Sequence, residues 1–418
     1  MITRRRLLEA TGGALAWGAG GAAAVPEAAA SPAARELRDL LWLSPLLPEG
    51  TRAEAAVETL PGKKPLIRLA ERPPNYESPL SYLRTAITPN DEFFVRYHLA
   101  GIPEEIDAST WKLTIGGEGT HGEVTVGLEE LKKLPAFEIT AVCQCAGNRR
   151  GLFQPHVPGV QWGNGAMGCA RWKGARLKDL LDLAGLKKDA VEVVFDGADE
   201  PVLDKTPDFL KSIPLWKAIE ETTLVAYEMN GEALPHLNGF PARIVVPGWT
   251  ATYWVKHIIR ITAVTKPFDG FWMKTAYRIP LGKFPLVARY TDQETAVNTP
   301  VTEIVVNSLI TSPVDGDRIK AGKPVTVSGI AWDGGYGIST VEISLDGGKS
   351  WTEAMLGADP GKYALRGWSY ELKPKGRGKI TIAARASNRI GQTQTTELIQ
   401  NPAGYYNNQI QTVTLDAV

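Results

Sequence analysis

Glycine and proline recur so often in this chain, 42 and 29 times in 418 residues, that no long helical repeat survives between them. Proline removes a donor from a helix interior and glycine costs ~1 kcal/mol there. What remains is a series of short runs rich in β-branched and aromatic residues: Phe93–Tyr97, Trp111–Ile115, Val191–Phe195, Arg243–Val246 and Ile258–Val264. These predict strands. Short helices are expected at Leu128–Leu134, Leu177–Ala184 and Lys211–Ala218. Residues 31–298 therefore read as a mixed α/β unit with long loops, of α+β class.

From Thr299 the pattern changes. Alternating runs follow at Glu303–Asn307, Pro324–Ile330, Val341–Leu345, Ser369–Leu372, Lys379–Ala384 and Gln409–Leu415, with Asp346-Gly347-Gly348 as a hairpin signal. Residues 299–418 are expected to form an all-β, immunoglobulin-like sandwich with Trp351 and Trp368 in its core. It would lack the sandwich disulfide, because no cysteine lies beyond Cys169.

Residues 1–30 read as an export signal rather than as fold. Paired arginines in Arg4-Arg5-Arg6 precede an Ala- and Gly-rich apolar stretch, and Ala28-Ala29-Ala30 offers a cleavage site. The arrangement is of the twin-arginine type, which implies a periplasmic destination. Lys plus Arg and Asp plus Glu balance at 46 each with no long basic run, so nucleic acid and membrane surfaces are not expected partners. The three cysteines cannot form a disulfide framework: Cys143 and Cys145 are too close, and a Cys169 bridge leaves an odd thiol.

One of those cysteines has informative neighbours. Cys145-Ala146-Gly147-Asn148-Arg149-Arg150 sets a thiol beside a small-residue turn and two guanidinium groups. A thiolate suits a soft or high-valent metal, and arginine matches oxyanions. Cys143 would share the face of Cys145 on a strand, with no role expected beyond packing.

This segment, preceded by Gln144, resembles the molybdenum-ligand motif of the sulfite oxidase family, and the resemblance runs through the chain in order. It implies a molybdenum–molybdopterin cofactor (Mo-MPT) with Cys145 as the metal's protein ligand. It implies further cofactor contacts from Phe94, Val95, Arg96, Tyr97 and His98, then Asp199, then His236 and Arg243, then Trp254, Val255 and Lys256. Tyr277 falls where the family has its active-site tyrosine, and Gly334 to Trp351 resembles its dimerisation domain. Arg243 and Lys256 would carry the pterin phosphate, and Asp199 would accept ring N–H groups. The substrate implied is sulfite, gripped by Arg96 and Arg150 with His98 and Tyr277 alongside. Arg366 and Trp368 are candidates for a third oxyanion contact, and Trp162 is expected in the core more than in the pocket.

No Cys-x-x-Cys-His occurs, so no haem is expected on this chain. Electrons would then leave to a cytochrome c or haem subunit, in a homodimer or a heterodimer. Two alternatives are a sulfane dehydrogenase of the sulfur-oxidising system, disfavoured by the Arg149-Arg150 pair, and an exported binding protein without catalysis.

Overall fold

In the computed structural model, the described residues are 2–3, 42–280, 294 and 297–418. The expected export signal, apart from residues 2–3, lies outside them. The described chain is mostly sheet, with helices only a turn or two long, such as the seven-residue Leu177–Leu183. Two units with separate cores meet along a seam that carries Cys145.

Three larger sheets build the first unit, and a two-stranded pair, Arg278–Pro280 against Asn298–Pro300, follows them. The strands Ala56–Glu58, Leu66–Ala70, Asn75–Glu77 and Val95–Arg96 pair in sequence, Ile2–Thr3 adding to one edge. A second sheet runs Lys211–Pro214, Glu192–Gly197, Ile258–Val264, Leu113–Gly116, Val124–Val126. The third is dominated by a long antiparallel pair, Ala136–Gln144 against Met167–Arg176, extended by Leu224–Met229 and Arg243–Val245. Between the sheets lies a core that includes Phe93, Trp162, Trp172, Phe195 and Trp254.

The second unit has two antiparallel-rich sheets. One orders Asn307–Ser312, Val325–Trp332, Arg366–Leu372, Met355–Leu356; the other orders Arg318–Ile319, Gln411–Ala417, Gly378–Asn388, Ile338–Ser344, Thr352–Glu353. Val327, Ala331 and Trp368 from the first share one core with Val341, Ile382 and Val413 from the second.

Several expectations need correction. Lys211–Ala218 is not one helix: Lys211–Pro214 is a strand and only Leu215–Ala218 turns helically. Proline at 214 has no N–H to continue a ladder and suits the first turn of a helix, so the element changes there. The first strand of the second unit is Asn307–Ser312, not Glu303–Asn307, because the Ile304 N–H is spent on Gly248 O in the crossing between units. Trp351 is not in the core. It sits half-buried at the hairpin under the Arg385 guanidinium, its Nε1–H on Gly348 O, while Trp368 is buried. The Asp346-Gly347-Gly348 hairpin is present, with both glycines at positive φ of 74° and 88°.

The seam fixes the start of the Cys145 loop. Val142, Met167 and Cys169 pack against Leu309, Ile330 and Trp332 of the second unit. Trp332 Nε1–H donates to Gln144 Oε1 at 2.5 Å, and Val142 N–H donates to Tyr363 O at 2.9 Å. The strand that ends in Cys145 is thus held from both sides.

Candidate active site

Cys145 is the first residue past the Ala136–Gln144 strand, where the pairing gives way to a tight loop. Its N–H donates to Ala166 O at 2.9 Å, and Asn148 closes the turn by donating N–H to Cys145 O while its Oδ1 accepts Ala166 N–H. Every link here is a backbone group or a buried carboxamide, so the thiol has a fixed position. It is 7 % exposed and opens into a pocket that Cys143, Phe94, Arg96, Tyr97, His98 and Ala146 also line. Among the described residues no cluster of three or more His, Cys, Asp or Glu side chains forms a metal cage. Any metal bound by this thiol would bring most of its ligands with it.

Basic groups dominate the far wall. Arg243 sits at the start of the Arg243–Val245 strand, stacked over Trp172 and Trp254, with Nη1–H on Asn238 O and Nη2–H on Trp254 O, each at 2.9 Å. Its Nε is buried without a partner, and so is that of Arg96. Lys256 lies against the Tyr97 ring, and burial together with Arg243 pulls its ammonium well below the usual lysine range. Asp199 is the lining carboxylate; burial pushes it up to about 6 against the pull of Lys256. Three cations face one carboxylate in a largely desolvated space, an arrangement that favours a polyanion.

A cluster of rings joins the thiol side to the surface. His98 stacks on Phe209 at 3.6 Å, and its Nε2 is hydrogen-bonded to Tyr277 Oη. Arg96 Nη2 reaches the same hydroxyl at 3.5 Å, the limit for a bond. Burial, then the charges of Arg96 and Lys211, hold His98 well below its ordinary value, while burial raises Tyr277. Tyr277 adopts φ 58°, a left-handed conformation that a non-glycine residue keeps only when its surroundings impose it. The Tyr405 ring stacks on it from the second unit at 5.5 Å, and Lys211 Nζ lies 5.0 Å beneath it.

Most residues singled out in the sequence converge here: Cys145, Phe94, Arg96, Tyr97, His98, Asp199, Arg243, Trp254, Val255, Lys256 and Tyr277 all line the pocket. Others do not. Val95 faces a small core with Leu66 and Tyr76. His236 Nε2 bonds Pro103 O behind the wall, beside His257. Arg150 donates Nε–H to Ala403 O and Nη1–H to Val160 O behind the Tyr405 ring, and acts on His98 only through its charge. Trp162 is fully buried away from the lining; Arg366 donates to Ile338 O and Trp368 is in the second unit's core.

Sequence reasoning missed several neighbours. Asn238 lines the pocket with its Oδ1 accepting from the buried Lys63. Phe209 and Tyr405 gave no local signal, since aromatic residues in loops pack anywhere. Lys211 is buried at 0 % exposure with Nζ on Trp272 O at 2.6 Å, and burial pulls it down to about 7. The helix expected over Lys211–Ala218 hid this, since Lys211–Pro214 is a strand that turns the side chain inward.

Similarity to known proteins fits this geometry. A family model described as an oxidoreductase molybdopterin binding domain matches residues 98–272, and one described as a Mo-co oxidoreductase dimerisation domain matches 298–417. The chain is 36% identical to mitochondrial sulfite oxidase of Homo sapiens over 341 residues, covering 78% of this chain and 61% of that protein. It therefore spans less than two thirds of that relative's length. Against sulfite oxidase of Arabidopsis thaliana it is 35% identical, covering 75% of this chain and 81% of the other. Among solved structures, the sulfane dehydrogenase SoxCD from Paracoccus pantotrophus superposes with a TM-score of 0.70 at 28% identity, covering 82% of this chain and 84% of that one.

Proposed function

The chain belongs to the sulfite oxidase family of molybdenum oxidoreductases, and from that premise we propose that it oxidises sulfite to sulfate at a molybdenum–molybdopterin centre held in this pocket. The observation that carries the reading is one fixed thiol facing Arg96, Arg243 and Lys256, with two guanidinium Nε atoms buried and unpartnered. Cys145 would ligate the metal as thiolate. Arg243 and Lys256 would neutralise the pterin phosphate, and Asp199 would accept ring N–H groups. Bound there, the molybdenum centre supplies oxygen-atom transfer and accepts two electrons.

The protein's own groups do the rest. Arg96 is the cation of the lining that also touches Tyr277, so it can hold sulfite oxygens next to the proton-carrying pair. Water supplies the added oxygen, leaving two protons and two electrons to depart. The His98–Tyr277 hydrogen bond lies beside Arg96 and would orient the departing protons; burial and the surrounding cations keep His98 neutral, so it steers them without storing one. Export by the twin-arginine signal to the periplasm and delivery of electrons to a cytochrome c or haem subunit complete the proposal. The second unit, with its shared two-sheet core, supports an immunoglobulin-like sandwich acting as the contact between subunits.

A second reading has one observation in its favour, the superposition on a sulfane dehydrogenase. The Arg149-Arg150 pair does not discriminate between the two, because neither residue lines the pocket. Sulfite-dependent reduction of cytochrome c, with molybdenum quantified on the same sample, tests the choice. Turnover proportional to metal content supports sulfite oxidation. Full metal with no sulfite turnover, but with turnover of a persulfide-bearing protein, would move the assignment to sulfane chemistry.

A further inference from the structure

We propose that the seam between the two units holds a second oxyanion site, centred on Arg149, that takes an inorganic anion of sulfate size. The site is separate from the Cys145 pocket and does not depend on the reaction proposed there.

Arg149 carries an uncompensated charge. Arg149 is 4 % exposed, yet among the described residues no carboxylate pairs with it. Its Nη1–H donates to Asn307 Oδ1 at 2.9 Å, a neutral acceptor that also receives Gln394 Nε2–H and Ser308 N–H. Its Nε is buried with no partner at all. A guanidinium desolvated without an anion is costly. Burial alone accordingly draws its pKa down to about 10.

Arg149 also lines a cleft of about 420 Å³ where the two units meet. Its backbone, at φ 68°, is left-handed, and that conformation is fixed by Arg149 N–H on Gly163 O and by Asn407 Nδ2–H on Arg149 O. The loop thus holds a strained residue in a way that aims its side chain into the seam. In the same lining, Asn164 is 7 % exposed and its Oδ1 is buried without a partner, so its carboxamide is not committed elsewhere through that oxygen. Gln411 also lines the cleft, and its Oε1 is already engaged by Ile310 N–H at 2.7 Å, which leaves its amide N–H groups as its remaining hydrogen-bonding capacity. Asp315, the carboxylate of the lining, is engaged by Thr414 N–H. A forked cation with amide donors around it is the chemistry of sulfate recognition.

Equilibrium dialysis of the full chain with radiolabelled sulfate, at constant ionic strength in chloride, tests the site. The expected result is two sulfates per chain, one lost in Arg96→Met and the other in Asn164→Asp. Thr412→Glu, an exposed change at the cleft, should also lose the second sulfate and guards against misfolding in the buried variant. Crystals grown with selenate should show anomalous density in the cleft within hydrogen-bonding distance of the Arg149 guanidinium. A single sulfate that Arg96→Met removes would overturn the proposal, as would selenate density in the cleft without a second site in solution. If sulfate binds only in the cleft, the seam site stands and the reading of Arg96 falls.

Discussion

At the scale of single residues, the pocket depends on groups that water would ordinarily solvate. Arg96 has a buried Nε without a partner and a weak contact to Tyr277 Oη, so most of its hydrogen-bonding capacity is unused. Arg96→Met should raise the sulfite KM by roughly 10- to 100-fold, the equivalent of ~1.5–3 kcal/mol for a charged hydrogen bond. Steady-state kinetics on the folded variant check this, and an unchanged KM removes the residue from substrate binding. Glu77 makes a different kind of claim. It is fully buried, accepts Gly163 N–H at 2.7 Å, and burial pushes it up to about 8 from an ordinary 4.5. The folded state then keeps a proton that the unfolded chain has released, so stability falls as pH rises between those two values. The slope approaches roughly 1.4 kcal/mol per pH unit at most. Glu77→Gln keeps an acceptor for Gly163 and should flatten that part of the profile, gaining most over wild type near pH 8. Urea melts at pH 5, 6.5 and 8 read the difference, and parallel profiles for the two proteins would contradict it.

Among elements, the legible ones were those whose burial pattern is local. Ile258–Val264 reads directly from its alternation, and Leu128–Lys133 and Leu177–Leu183 from their leucine spacing. The hairpin that carries the site, Ala136–Gln144 with Met167–Arg176, was not anticipated as strands. It is buried at its Cys145 end on both faces, against the first unit's core and against the second unit. A strand covered twice loses the alternation that reveals one. Most of the pocket was nonetheless readable, because a thiol, three cations and a carboxylate are conspicuous residue types. What sequence could not supply was direction: Arg150 and His236 have the right chemistry and point elsewhere. The doubly covered strand also yields a prediction. Trp332→Phe leaves the buried Gln144 Oε1 without its donor, and should cost ~1–3 kcal/mol, lowering the melting temperature by several degrees. A calorimetric scan decides it, and an unshifted transition would mean that the cross-seam bond contributes nothing.

For the whole molecule, the second unit is part of the catalytic architecture as well as a separate core. Asn307, Ala403 and Asn407 hold the arginines that follow Cys145, and Tyr405 backs the Tyr277 ring. In the function proposed, this assembly fixes Cys145 as the protein's ligand to a molybdenum cofactor. X-ray absorption at the molybdenum edge, on wild type and on Cys145→Ser purified in parallel, tests it most directly. The variant should show one sulfur neighbour fewer at the metal, together with loss of sulfite turnover. An unchanged sulfur count, or turnover surviving in Cys145→Ser, would contradict it.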